Sequence, residues 1–229
     1  MSGTFYGIGA GPGDPELLTL KAIKAIKECD VIAAPDSGSE RQTALDIARE
    51  YITGKQVLSL DMPMTHDEKT LKEARSRAAD IICRELSAGK NVGFLTLGDP
   101  MLYSTYSYLH RLVSARGFSA SAIPGVTSFC AAAAALGEPL CEGGEALHVI
   151  PASYADLDGA LDLPGTKVLM KSGKKLSGAI ELLKEKNLLS NALLAERVGM
   201  EGERLVFELN EEEGAGYFSV VIVKEDEKG

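Results

Sequence analysis

The sequence predicts an α/β chain of two domains, the first on a mostly parallel sheet with flanking helices and the second a mixed α/β domain. Three observations carry that expectation. In the first half, short apolar runs at Thr4 to Gly9, Asp30 to Ala34, Gln56 to Leu60, Asn91 to Leu97 and Ser119 to Ile123 alternate with helix-period segments, the pattern of a parallel sheet covered on both faces. A break follows, where the small-residue helix Cys130 to Leu136 runs into Gly137-Glu138-Pro139 and Glu142-Gly143-Gly144. The second half then carries strand candidates at Ala146 to Pro151, Lys167 to Met170, Ala192 to Ala195, Arg204 to Leu209 and Tyr217 to Val223, with one long helix around Leu176 to Lys186. Too few crossover helices remain there for an all-parallel sheet. The expected domains are 1–123 and 124–229, joined by a hinge at about 124–144.

Two helices are legible in the first half. Leu17, Leu20, Ile23 and Ile26 fall on one face, with Lys21, Lys24 and Lys27 turned away. Leu71, Ala74, Ala78, Ile81 and Ile82 repeat the spacing further on. Both are expected to be half-buried.

At 229 residues and 45% hydrophobic content the chain can bury a core large enough to fold. No unbroken apolar stretch, that around Cys130 to Leu136 included, approaches the roughly 20 residues of a membrane span. The first residues lack a basic segment followed by an apolar one, so a soluble, cytoplasmic protein is expected. Cys29, Cys83, Cys130 and Cys141 form no C-x-x-C pair and are expected to be reduced and buried. His66, His110 and His148 are too scattered to suggest a ligand cluster, so no protein-bound metal is expected. A net charge of −9 disfavours nucleic acid and anionic membranes as partners.

The first chemical signal is the loop Gly7-Ile8-Gly9-Ala10-Gly11-Pro12-Gly13-Asp14-Pro15 between a strand and a helix. A dinucleotide fingerprint G-x-G-x-x-G fails in every register, because Pro12, Asp14 and Glu16 take the third glycine position. Two prolines remove donors and Asp14 adds negative charge, so the loop suits a neutral or cationic ligand better than a phosphate. Asp14-Pro15 also reads, with no ligand at all, as a helix N-cap followed by proline at the first helical position. Gly98-Asp99-Pro100 and Pro124-Gly125-Val126-Thr127-Ser128-Phe129 follow two other apolar strands. In a parallel sheet such loops meet at the carboxyl edge, where open α/β sheets bind ligands.

Those three loops, extended to Gly7 through Thr19 for the first, resemble the tetrapyrrole methylases, and the resemblance spans nearly the whole chain. Phe94 through Tyr106, with Met62-Pro63-Met64-Thr65, resembles the branch that methylates carbon 20 of precorrin-2 or cobalt-factor II. The resemblance implies a homodimeric enzyme that binds S-adenosylmethionine in a cleft between its domains and releases S-adenosylhomocysteine. By the family pattern Pro12, Gly98, Asp99, Leu102, Tyr103, Thr127 and Ser128 line the cofactor, and Met170 covers its adenine. Asp99 and Tyr103 are the side chains nominated for removal of the carbon-20 proton, a role that water or the substrate can also fill. Ordinary packing in a first helical turn is the other reading of Tyr103 and Tyr106, and Phe129 reads as core.

A carboxylate-rich tetrapyrrole must meet cations in this acidic chain. Lys171, Lys174 and Lys175 are the densest basic cluster, with Arg41 and Arg111 as further candidates, against a solvated loop as the plain alternative. Another corrin position, or a ligand-binding module without catalysis, remains compatible with these residues.

Overall fold

The computed structural model describes residues 2–36, 38–63, 65, 67–153, 156–171, 176–210 and 216–225, with backbone alone at 38–42. The chain forms two compact units, Met1–Thr127 and Ser128–Gly229. The stretch 137–144, expected as part of the hinge, therefore lies inside the second unit.

In the first unit β1 (Thr4–Gly9), β2 (Val31–Pro35), β3 (Gln56–Leu60), β4 (Val92–Thr96) and β5 (Ser119–Ile123) form one sheet in the order β3-β2-β4-β1-β5. Every pair is parallel, as the alternating pattern predicts. Side chains alternate across the sheet and so feed two cores. On one face Ile8, Ile32, Leu95 and Ile123 pack with α1 (Leu20–Glu28), α2 (Gly38–Ile47) and α3 (Arg49–Ile52). On the other, Phe5, Ala33, Val92 and Phe94 pack with α4 (Glu68–Ser87) and α5 (Tyr106–Ala115).

The first helix departs in part from the expected stripe. Leu20 is 87% exposed; Ile26 is buried and Ile23 half-buried as expected, and α1 adds Ala22 and Ala25 to its buried face. Leu17 belongs to a separate one-turn 3-10 helix, Pro15–Leu17, whose N-cap is Asp14. Thr19 is the N-cap of α1 and accepts from Ala22 N at 3.1 Å. Small alanines at i and i+3 let the helix lie close to the sheet, and a reading weighted toward large apolar residues rotates the stripe. The cysteines also differ from expectation: Cys29 is buried, but Cys83 is only half-buried and Cys130 and Cys141 are exposed. Burial pushes the Cys29 thiol up to about 12.

Tyr106 is the largest fully buried side chain of the first unit. Its ring packs on Phe5 and Phe94, and a Cβ added to Gly7 would meet that ring at 2.4 Å. Gly7 is thus a glycine for packing, not for a ligand. The phenol donates to Ser121 O at 2.7 Å and lies 3.0 Å from His110 Nδ1. With its one proton given to Ser121, the phenol oxygen accepts from His110, which implies the Nδ1–H form of that imidazole. Tyr106→Phe is expected to lower the unfolding free energy by about 0.5–1.5 kcal/mol, the net contribution of one hydrogen bond, because the bond it removes to Ser121 O is only part-buried. Urea denaturation reads this, and an unchanged midpoint would mean that the bond contributes nothing.

The second unit contains α6 (Ser128–Leu136), β6 (Leu147–Pro151), α7 (Leu157–Leu161), β7 (Thr166–Met170), α8 (Leu176–Glu185), β8 (Ala192–Glu196), β9 (Arg204–Val206) and β10 (Ser219–Val223). Its sheet runs β6-β7-β10-β8-β9, with β6 and β7 parallel and the other pairs antiparallel, the mixed sheet expected. Helix α8 buries Leu176, Ala179, Ile180 and Leu183 against Leu169, Leu194, Val221 and Val223.

Candidate functional site

Strands β4, β1 and β5 are neighbours, so the loops that leave their carboxyl ends are neighbours too. Gly98 N donates to Gly11 O at 2.8 Å in an antiparallel bridge between the first two loops. Asp99 ties the second loop to the third: its Oδ1 accepts from Met101 N at 2.8 Å and its Oδ2 from Gly125 N at 3.1 Å. Beneath this junction a Cβ on Gly9 would lie 2.6 Å from both Gly125 N and Gly98 O, and one on Gly125 would lie 2.3 Å from Gly98 O. Glycine at 9 and 125 is what allows three backbones to meet.

Ser104, buried and not singled out in the sequence, closes the long loop after β4. Its hydroxyl lies 3.0 Å from Thr96 Oγ1 and accepts from Tyr106 N at 3.2 Å. Between these anchors Tyr103 holds φ +49°, in the left-handed region that a bulky residue rarely adopts. It precedes α5 and is 45% exposed, so it does not pack in a helical turn. Tyr106 does, within the core.

Two features of the junction point to a ligand. Gly98 has φ +68°, and a Cβ there would find no atom nearer than Val126 O at 4.0 Å. The backbone faces open space at the carboxyl edge, where a cofactor can approach. Thr127 Oγ1 is buried with no hydrogen-bond partner. An unpaired buried hydroxyl costs about 1–3 kcal/mol, a cost that a bound polar group removes.

The structure thus gathers Pro12 (buried), Gly98, Asp99, Leu102, Tyr103 and Thr127 around one edge of the first sheet. Ser128 begins α6 and Met170 ends β7, both half-buried in the second unit. Lys171 follows Met170 with φ +55°, and its carbonyl accepts from the Ser153 hydroxyl. Lys174, Lys175, Met64, His66 and the side chain of Arg41 lie outside the described residues. Arg111 sits on α5 with its guanidinium 5.2 Å from the Tyr108 ring centroid.

Among the described residues no group of three or more His, Cys, Asp or Glu could hold a metal, and no helix is long and apolar enough to cross a membrane.

The family model of the tetrapyrrole (corrin/porphyrin) methylases matches residues 4–213. A probable cobalt-precorrin-2 C(20)-methyltransferase of Methanocaldococcus jannaschii is 35% identical over 224 residues, covering 96% of this chain and 95% of its own. The cobalt-precorrin-2 C(20)-methyltransferase of Salmonella typhimurium is 34% identical over 231 residues, covering 97% of each. Among solved structures, uroporphyrin-III C-methyl transferase from Thermus thermophilus complexed with S-adenyl homocysteine is similar in fold. Its TM-score is 0.74 at 24% identity, over 97% of this chain and 98% of that one. The chain belongs to the tetrapyrrole (corrin/porphyrin) methylases and is a methyltransferase that uses S-adenosylmethionine.

Proposed function

We propose that this enzyme methylates carbon 20 of precorrin-2 or its cobalt-bearing form in cobalamin biosynthesis. The observation that carries the reading is full-length similarity to two C(20)-methyltransferases, both named for the cobalt substrate. Any cobalt belongs to the macrocycle, so no metal ligand is asked of the protein.

The cofactor supplies an electrophilic methyl group, which carbon 20, an electron-rich bridge position, takes in line before losing its proton. The chain's own work is to hold both reactants in attack geometry, which can supply about 7–11 kcal/mol of a barrier. We assign the open backbone at Gly98 and the unpaired Thr127 hydroxyl to the cofactor, with Pro12, Leu102, Tyr103, Ser128 and Met170 as further lining residues. Asp99 is assigned to positioning rather than to proton removal. Both of its oxygens already accept backbone N–H groups, and moving either would release Gly125 or Met101. Proton removal falls to Tyr103 or to water at this exposed loop. On the substrate side the proposal keeps Lys171, Lys174, Lys175, Arg41 and Arg111 as carboxylate partners. A cytoplasmic homodimer is proposed with it, on likeness to the family.

S-adenosylhomocysteine at a hundredfold excess over its dissociation constant is expected to stabilise the protein by about 2.7 kcal/mol. A thermal-shift measurement should show a rise in Tm with it and none with NAD; a larger rise with NAD would overturn the cofactor assignment. Methyl transfer to precorrin-2 and to its cobalt complex, run in parallel and read by mass spectrometry, tests the substrate. Transfer to neither, or to another carbon, would refute carbon 20.

A further inference from the structure

A second charged feature lies on the outer side of α4 and α5. Tyr108 is 41% exposed, and two guanidinium groups gather over its ring, Arg75 at 3.6 Å from the centroid and Arg111 at 5.2 Å. Four other arginines have carboxylate partners, Arg49 with Asp46, Arg77 with Asp61, Arg116 with Asp80 and Arg204 with Glu196, while Arg197 donates to the Glu201 carbonyl. Among the described residues Arg75 and Arg111 have no ion-pair partner. The sequence withholds one, since positions 71, 72, 78 and 79 around Arg75 and 107, 108, 114 and 115 around Arg111 carry no acid. Helix α5 has none anywhere. In a chain of net charge −9, two like charges are thus brought together on one ring without a counter-charge.

Each guanidinium gains from the aromatic face, but the two repel one another. An anion bound across them would relieve that repulsion. Stacking also holds each planar donor fork before an anion arrives, so less side-chain freedom is lost on binding. The position suits the proposed substrate. Helices α4 and α5 both start from the carboxyl edge of the sheet, after β3 and β4. Helical side chains lean toward their own N-terminus, which carries both arginines toward the edge where the three loops meet. Arg75 lies seven residues into α4, about 10 Å along its axis, within reach of a macrocycle with flexible carboxylate arms.

We propose that Arg75 and Arg111, held on Tyr108, form a clamp for the peripheral carboxylates of the tetrapyrrole. The inference rests on the proposed substrate class, not on which carbon is methylated. Arg111 enters as part of a pair organised by Tyr108, and Arg75 as its stronger stacking member.

The test uses the full chain in wild-type form, as Arg75→Gln/Arg111→Gln, and as Arg77→Gln, the last removing a paired charge from the same helix. Uroporphyrin, a carboxylate-rich porphyrin, is the binding probe, followed by fluorescence quenching at low salt and at roughly 0.5 M salt, where charge interactions are screened. Methyl-transfer KM and kcat and the Kd for S-adenosylhomocysteine are measured alongside. The double variant is expected to weaken uroporphyrin binding and raise the tetrapyrrole KM by about tenfold at low salt. The difference should narrow at high salt, with kcat, cofactor Kd and Arg77→Gln changed by less than about twofold. Should the double variant fold poorly, Arg111→Gln alone, at an exposed position, is expected to give about threefold with the same salt dependence. No uroporphyrin binding by the wild type, equal binding by wild type and variant, a loss indifferent to salt, or an equal loss in Arg77→Gln would overturn the clamp. Arginine-dependent uroporphyrin binding without methyl transfer to precorrin-2 would support the clamp and refute the carbon-20 reading.

Discussion

Gly125→Ala is expected to damage the loop junction severely. The added Cβ would lie 2.3 Å from Gly98 O and 2.8 Å from Gly9 Cα, both backbone atoms of strands or loops that are themselves hydrogen-bonded. Nothing can rotate away, so the third loop must lift from the junction and take with it the bond from Gly125 N to Asp99. The unfolding free energy should fall by about 3 kcal/mol, the upper part of the range for overpacking. Affinity for S-adenosylhomocysteine should fall at least about tenfold, the equivalent of 1.4 kcal/mol. Urea denaturation and calorimetric titration measure the two. Gly98→Ala provides the contrast, because its Cβ enters open space and costs only the left-handed backbone, about 1–2 kcal/mol, while reaching toward the proposed cofactor. If Gly125→Ala keeps wild-type stability and affinity, the junction does not organise the site.

Thr127→Val should separate the site from the fold by moving the two measurements in opposite directions. The substitution keeps the shape of the side chain and removes a buried hydroxyl that has no partner. The ligand-free protein should be as stable as the wild type or more so, by up to about 1–3 kcal/mol, since an unsatisfied buried group costs that much. Affinity for S-adenosylhomocysteine should drop about tenfold or more if the hydroxyl bonds the cofactor. A destabilised protein with unchanged affinity would place Thr127 in the fold alone.

Much of this architecture was legible because strand and helix patterns are local. The runs at Thr4 to Gly9 and Ser119 to Ile123 coincide with β1 and β5, since a buried strand declares itself over a handful of consecutive residues. The loop Gly7 to Pro15 was legible as unusual, and its exclusion of a dinucleotide site needed only spacing. What each glycine does was not legible. Gly7 accommodates the ring of Tyr106, far along the chain, and Gly9 accommodates Gly125, while Gly98 in the neighbouring loop opens toward free space. Leu20 misled for a related reason: a helix face is chosen by fit against its sheet, and alanines fit closer than leucine.

The sequence by itself determined the order of strands and helices, the parallel character of the first sheet, the mixed character of the second and the set of loops at one edge. These follow from residue periods of two and of 3.6 and from the handedness of crossover connections. Only the tertiary structure decided that Asp99 is a brace between loops, that Thr127 keeps an unpaired hydroxyl, and that Arg75 joins Arg111 on Tyr108. Each depends on distances of a few ångströms between residues remote in sequence, and no local pattern encodes such distances. They are fixed when the two faces of the sheet pack, because packing at interior density leaves each buried side chain few alternative places.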